Sequence, residues 1–362
     1  MTRNNKMAKA LSNKKNKPDE RKSSFAVALA PLRAKANTFV KAFADCVHAG
    51  GLEVYDYTYE TELPKNINCI IFHWPNEFFV GQSEQRNQEL RHLLSIWQEA
   101  QKQYGLRLIW VAHNVHPHDR NDFCLELRTD FINALDGIIY LSARSRDIIH
   151  EAYAPDVTRE LVTVHGHYRD NSSTRPQPLP PIDAVVRLCY FGRIRPYKNL
   201  DTLIDCMSTL TRSQALLSIT GFRLDQAYAS RLEDLAQGRS DIQLDLRSHF
   251  VPEEDLEAVI DQSHGIILPY RDILNSGAAL LALSRNRPVL APRLGSLPEL
   301  QGDVGEDWLH LYDTALNSTV LQEFIDRLRK KSPEQCNLSA YDWGPIGQSV
   351  CRFIEQVCAD DK

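Results

Sequence analysis

The chain has 362 residues, a formal charge of −5, 43% hydrophobic and 25% charged residues. That balance suits a soluble globular protein of two ordinary domains and offers no global attraction for nucleic acid. No apolar run approaches the roughly 20 residues a membrane-spanning helix needs. The polar N-terminus lacks a signal core, and the eight cysteines are dispersed without a Cys-x-x-Cys pair, so they read as reduced, buried thiols of a cytosolic protein.

Residues 1–24 carry many Lys and Arg and little to bury, which predicts a disordered basic tail. Such a tail either solubilises or is drawn to an anionic membrane surface, at about 1 kcal/mol per basic residue near the lipid. An alternating series follows. Strands are expected at 25–32, 52–57, 68–72, 106–112, 137–141 and 161–164, and helices at 37–49, 84–104, 123–135 and 142–152. The stretch 169–184 (RDNSSTRPQPLPPIDA) is rich in Pro, Ser and polar residues and reads as a linker. Beyond it a second series has strands at 186–191, 215–220, 242–246, 265–268 and 288–291 and helices at 200–210, 226–236, 252–262 and 276–284, with further helix at 318–331 and 343–357. Alternation of this kind predicts an α/β protein of two Rossmann-like halves with mainly parallel sheets and a ligand cleft between them. The expected domains are 25–168 and 185–340, with a C-terminal helix over 341–362 that is a candidate to cross back onto the first domain.

The second half holds the clearest anion-binding stretch. Leu188–Asp205 reads as a buried strand ending at Gly192, a basic turn with Arg193, Arg195 and Lys198, and a helix that Asn199 can cap. Helix N–H groups, the helix dipole and fixed cations together favour a diphosphate at such a strand end, although a solvated basic turn has the same spacing. Asn275, Ser276, Gly277 and Ala278 form a second turn, small enough to let an anion approach backbone N–H groups. Tyr270 precedes it and can line a pocket for a base or a sugar; Glu299 can accept from ribose hydroxyls or simply occupy a first helical turn. In the first half, His73, then His113, His116 and His118 with Asp119, then His165 and His167 follow successive strands. Strand ends share one sheet edge, so these groups can converge as a sugar- or acceptor-binding and acid–base cluster. Their turns lack the His-x-x-x-His helix spacing of a zinc site, so no metal is expected.

Several segments carry a resemblance beyond these readings. HWPN (73–76), HNVHPHDR (113–120), HGHYRD (165–170), GRIRPYKN (192–199) and LPYRDILNSGAALLALSRNRPVLAP (268–292) occur in that order. The chain resembles the β-mannosyltransferases of bacterial exopolysaccharide assembly, glycosyltransferase family 94, over most of its length. The resemblance implies a GT-B fold, a GDP-mannose donor, a polyprenyl-diphosphate-linked oligosaccharide acceptor, inversion at the anomeric carbon, no required cofactor or metal, and work at the inner face of the cell membrane. Asp119 matches a carboxylate position of the family and is the first candidate for the base, with His118 and Glu77 as rivals. The family's HWPE stands here as HWPN, with Glu77 one place later. The Glu-x7-Glu pattern usual in the retaining family 4 is replaced by Ile273 and Leu281. Two other readings stand beside this one: a GT-B enzyme of another nucleotide sugar (a UDP-sugar transferase or epimerase), and a catalytically inactive nucleotide-sugar-binding assembly protein.

Overall fold

A computed structural model describes residues 25–359 except 32–36, 60–61, 65, 76–78, 80–82, 117–123, 158, 170–177, 183–184, 209, 211–213 and 331–334. The basic tail, most of the expected linker, Glu77, His118 and Asp119 lie outside the described residues.

The described strands form two six-stranded sheets, both wholly parallel. The first contains β1 (Ala26–Ala30), β2 (Glu53–Asp56), β3 (Cys69–Phe72), β4 (Arg107–Ala112), β5 (Gly137–Tyr140) and β6 (Arg159–Val162), in the order β2-β1-β3-β4-β5-β6. Helices α1 (Thr38–Ala49), α2 (Glu84–Tyr104), α3 (Leu125–Asn133) and α4 (Ala143–Tyr153) connect them. The second contains β7 (Val186–Ile194), β8 (Ala215–Arg223), β9 (Ile242–Arg247), β10 (Gly265–Ile267), β11 (Val289–Pro292) and β12 (Leu309–Tyr312), in the order β12-β11-β10-β7-β8-β9. Its helices are α5 (Leu200–Met207), α6 (Gln226–Ala236), α7 (Glu253–Gln262), α8 (Gly277–Ser284), α9 (Leu297–Val304) and α10 (Ser318–Leu328).

The first sheet's strands are apolar on both faces because both are covered. Ile70, Phe72, Leu108 and Trp110 pack under α2 and α3, while Cys69, Ile71, Ile109 and Val111 face α1. That second face is completed by the last helix, α11 (Trp343–Ala359), through Trp343, Ile346, Val350, Phe353, Ile354 and Val357. Gly137 and Gly166 admit it closely: a Cβ on Gly137 would stand 2.9 Å from the Phe353 ring, and one on Gly166 2.2 Å from Trp343. No helix among the described residues is long and apolar enough to cross a membrane.

Three local expectations are corrected. Gly192 does not end its strand: β7 runs on to Ile194, with Gly192 at φ +126° inside it. Its carbonyl would lie 1.9 Å from a Cβ on Gly221 of β8, so a Gly–Gly pair lets the two paired backbones approach this closely. Asn199, at φ +58°, gives α5 no side-chain cap; the Tyr228 hydroxyl accepts from Leu200 N (2.8 Å) and Asp201 N (3.3 Å) instead. The strand β12, too short to show a period, was not expected at all.

Ligands in open parallel sheets bind beyond the strand carboxyl ends where the order reverses. Here the reversals lie between β1 and β3 and between β7 and β10. The sequence after these strands supplies His73 in the first half, and the 195–198 turn and Tyr270 in the second.

Candidate active site

On the second sheet, β7 leads into a single 3-10 turn, Pro196–Lys198. The left-handed Asn199 then redirects the chain into α5, and its Oδ1 accepts from Arg271 Nε at 2.9 Å. This lays the Lys198 ammonium over the Tyr270 ring, 3.7 Å from its centre, and 4.6 Å from that of Tyr197. The Tyr270 hydroxyl is in hydrogen-bonding contact with Ser276, and burial pushes its pKa up. Ser276 caps α8, its Oγ accepting from Ala279 N at 3.1 Å. Among the described residues the amides of Gly277 and Ala278 have no acceptor, as the first turn of a helix requires. The basic turn and the small-residue turn, 78 positions apart from Lys198 to Ser276, thus meet through one tyrosine.

The first half faces this point. A Cβ on Gly277 would stand 2.9 Å from the Tyr168 hydroxyl and 3.3 Å from His165 Nε2. His165 Nδ1–H donates to the Gly166 carbonyl at 2.9 Å, which leaves Nε2 as a lone pair directed at the start of α8. His165, His113 and His73 surround Phe39, their ring centres 4.4, 4.9 and 6.0 Å from its own. His73 Nδ1 and His113 Nε2 share a hydrogen bond of 3.2 Å, and Trp74 stacks on His113 at 4.3 Å. Burial pushes His73 down to about 3 and His165 to about 4. His113 is held well below the usual imidazole range by burial and by its two histidine neighbours. The trio is therefore neutral near pH 7, a hydrogen-bonding wall rather than a set of cations.

Other expected site residues stand elsewhere. Arg193 is on β7 itself, exposed, its guanidinium 5.9 Å from the Phe250 ring. His116 meets the Tyr153 hydroxyl at 2.8 Å, and His167 meets Asp342 at 2.7 Å while its carbonyl accepts from Trp343 Nε1. His167 thus fastens the start of α11. Asn275 spans the two lobes: its Oδ1 accepts from Ser145 Oγ (2.9 Å) and its Nδ2 donates to the carbonyls of Ala112 (3.2 Å) and His113 (3.4 Å). Glu299 does the same, its carboxylate accepting from Ala143 N (3.0 Å) and Arg144 N (2.6 Å) at the start of α4. The Asn275 side chain is used up between the lobes, whereas the Glu299 carboxylate, though it caps α4, stays exposed and lines the neighbouring cleft. Beside Glu299 a cleft of about 450 Å³ is lined by Arg144, Arg271, Arg293 and Asp272. Among the described residues no group of three His, Cys, Asp or Glu is placed to hold a metal.

Sequence reasoning missed Tyr168, Tyr228 and Phe39. Tyr168 sits within the HGHYRD motif and could have been noticed there; Tyr228 and Phe39 are ordinary helix residues with nothing to distinguish them.

No family model matches the chain. It is 34% identical, over 262 residues covering 71% of this chain and 70% of the other, to the GDP-mannose:glycolipid 4-beta-D-mannosyltransferase of Xanthomonas campestris pv. campestris. A second strain's protein of the same name is 33% identical over 260 residues, again 71% and 70% of the two chains. Among solved structures, sucrose-phosphate synthase from Thermosynechococcus elongatus superposes with a TM-score of 0.64 at 13% identity, over 93% of this chain and 100% of that one. Anabaena HepE in complex with UDP gives 0.61 at 13% identity, over 92% and 98%. The likeness to these structures identifies the fold as GT-B. The closer kinship identifies the work done in it: the chain belongs to the family of the GDP-mannose:glycolipid 4-beta-D-mannosyltransferases and is a hexosyltransferase that uses a nucleotide sugar.

Proposed function

We propose that the protein moves mannose from GDP-mannose to a hydroxyl of a lipid-linked oligosaccharide, with inversion, in bacterial exopolysaccharide assembly. The observation that carries this reading is the contact chain Lys198–Tyr270–Ser276, set against His165 and Tyr168 of the other lobe. The relatives' name supplies the donor and the acceptor class.

GDP occupies the second lobe, its diphosphate between Lys198, Arg195 and the Gly277 and Ala278 amides. Preorganised cations and amides stabilise charge as it develops on the leaving phosphate, and no metal has a part in that role. His165 Nε2 accepts from a hydroxyl of the transferred sugar. The acceptor oxygen attacks the anomeric carbon as the bond from that carbon to the β-phosphate oxygen breaks. The proton passes to a base on the opposite face, Asp119 before His118 or Glu77, and GDP carries away the negative charge. Asp119 follows His116 by three positions in the sequence after β4. The glycolipid holds the enzyme at the inner face of the cytoplasmic membrane, aided by the basic tail.

Calorimetric titration with GDP, UDP and ADP, paired with transfer assays, tests the reading. GDP binds tightest, and Lys198→Ala weakens it at least tenfold. Asp119→Asn binds GDP as the wild type does but loses transfer by 100-fold or more. Activity survives EDTA. Preference for UDP or ADP, or an Asp119→Asn enzyme with full turnover, sinks it.

A further inference from the structure

Arg128, on α3, has no role in the transfer just described. It is 1% exposed. Its guanidinium carbon lies 4.5 Å from the centre of the Trp110 ring, 5.4 Å from Phe79 and 5.6 Å from Tyr153. Among the described residues none of its three nitrogens makes a hydrogen bond of ordinary geometry; the Tyr153 hydroxyl, itself bonded to Val115 and His116, is the one polar side chain that approaches them. Arg287, 0% exposed in the second lobe, shows the ordinary alternative: its nitrogens donate to the carbonyls of Ile260, Arg285, Asn286 and Asp261. A buried polar group left unmet demands an explanation that one satisfied by carbonyls does not. Packing alone does not explain Arg128, because an apolar side chain fills the same space without desolvating a cation.

The surroundings point to the acceptor side of the cleft. Trp110 stands near the end of β4, whose next residues carry His113 and His116. Tyr153, the box's third ring, donates to the Val115 carbonyl at 3.0 Å and bonds His116. Phe79 also belongs to the apolar cluster of Leu90 and Trp97. A guanidinium presents a planar fork of N–H donors whose matched partner is a two-oxygen anion. We propose that Arg128 is an anchor for an anionic oxygen group of the acceptor, a phosphate or a carboxylate, gripped in bidentate fashion over the Trp110 face. Entry requires the Phe79 or Tyr153 ring to swing aside, so occupancy also moves the hydroxyl that holds His116. The inference rests on the proposed function only in taking the first lobe as the acceptor lobe.

The test uses the full chain with GDP saturating the second lobe. Trp fluorescence and calorimetry follow binding of farnesyl diphosphate and of methyl glucuronide, with farnesol and methyl glucoside as neutral counterparts. The wild type is expected to bind one anionic probe and not its neutral counterpart, and the successful probe identifies the source as phosphate or carboxylate. Arg128→Met lowers that affinity tenfold or more, Arg128→Lys falls between, and GDP affinity is unchanged in both. Arg128→Met melts at or above the wild-type temperature, since it removes an unmet cation. The proposal is overturned if neither anion binds, if Arg128→Met binds as the wild type does, or if that variant fails to fold, which would make Arg128 a core support. Failure of GDP to bind the wild type would instead strike the donor assignment, and the anion result would stand apart from it.

Discussion

Single residues in this cleft act through the protonation state their burial imposes. His73, His113 and His165 are all shifted below the ordinary imidazole value, chiefly by burial. A histidine neutral in the folded chain but free to charge when unfolded favours the folded state fully above about pH 6.5. That stability drains as pH falls toward the folded value. Each such group contributes a slope of about 1.4 kcal/mol per pH unit in that window. Unfolding free energy measured from pH 7.5 to 4.5 should therefore drop steeply below pH 6.5, and His73→Phe should make the drop shallower by about one proton. An identical slope in the variant would mean that His73 is charged in the folded state. Arg128 is the opposite case, a cation kept charged at depth: burial lowers it only to about 10, and ring faces at about 0.5–2 kcal/mol each offset part of the desolvation.

Elements matter here chiefly for where they begin. Helix α8 opens with Gly277, whose missing side chain is the space between its own first turn and the Tyr168–His165 pair. Its backbone needs no glycine, so a larger residue there acts by filling the gap rather than by straining the chain. Gly277→Val should push Tyr168 and His165 aside and lower kcat/KM at least tenfold while circular dichroism shows the fold retained; full activity would place the sugar elsewhere. Such elements were largely legible beforehand, because strand and helix periods are local. Observed helices and strands lie within about three residues of the expected ones, apart from β12 and α9. The site was legible only in outline. Lys198, Tyr270, Ser276 and His165 do gather, since strand ends share an edge. Asn275 and Glu299 read as donor ligands from residue type; Asn275 is used up across the lobes, while Glu299 both caps α4 and lines a cleft. Nothing local distinguishes a carboxylate that will cap a neighbour's helix from one that will bind a ribose.

At the scale of the whole molecule, those two side chains are among the ties between the lobes. Glu299 accepts two α4 amides, and Asn275 joins Ser145 and the β4 end. A helix cap is worth about 0.5–2 kcal/mol, enough to shift a balanced two-state equilibrium severalfold. Glu299→Ala should thus enlarge the radius of gyration of the ligand-free enzyme in small-angle scattering and raise the donor KM; an unchanged radius would mean that other contacts hold the lobes together. The path of α11 bears on something quite different, the making of the protein. Its apolar stripe roofs a sheet whose strands were all synthesised before residue 163. While the ribosome builds the second lobe, the part of that face around Gly137 that meets α11 rather than α1 stays uncovered, a sticky surface of the kind chaperones attend. Cutting between the lobes would leave the same wound permanently, so the first half will not serve as an independent module unless residues 343–359 are supplied in trans.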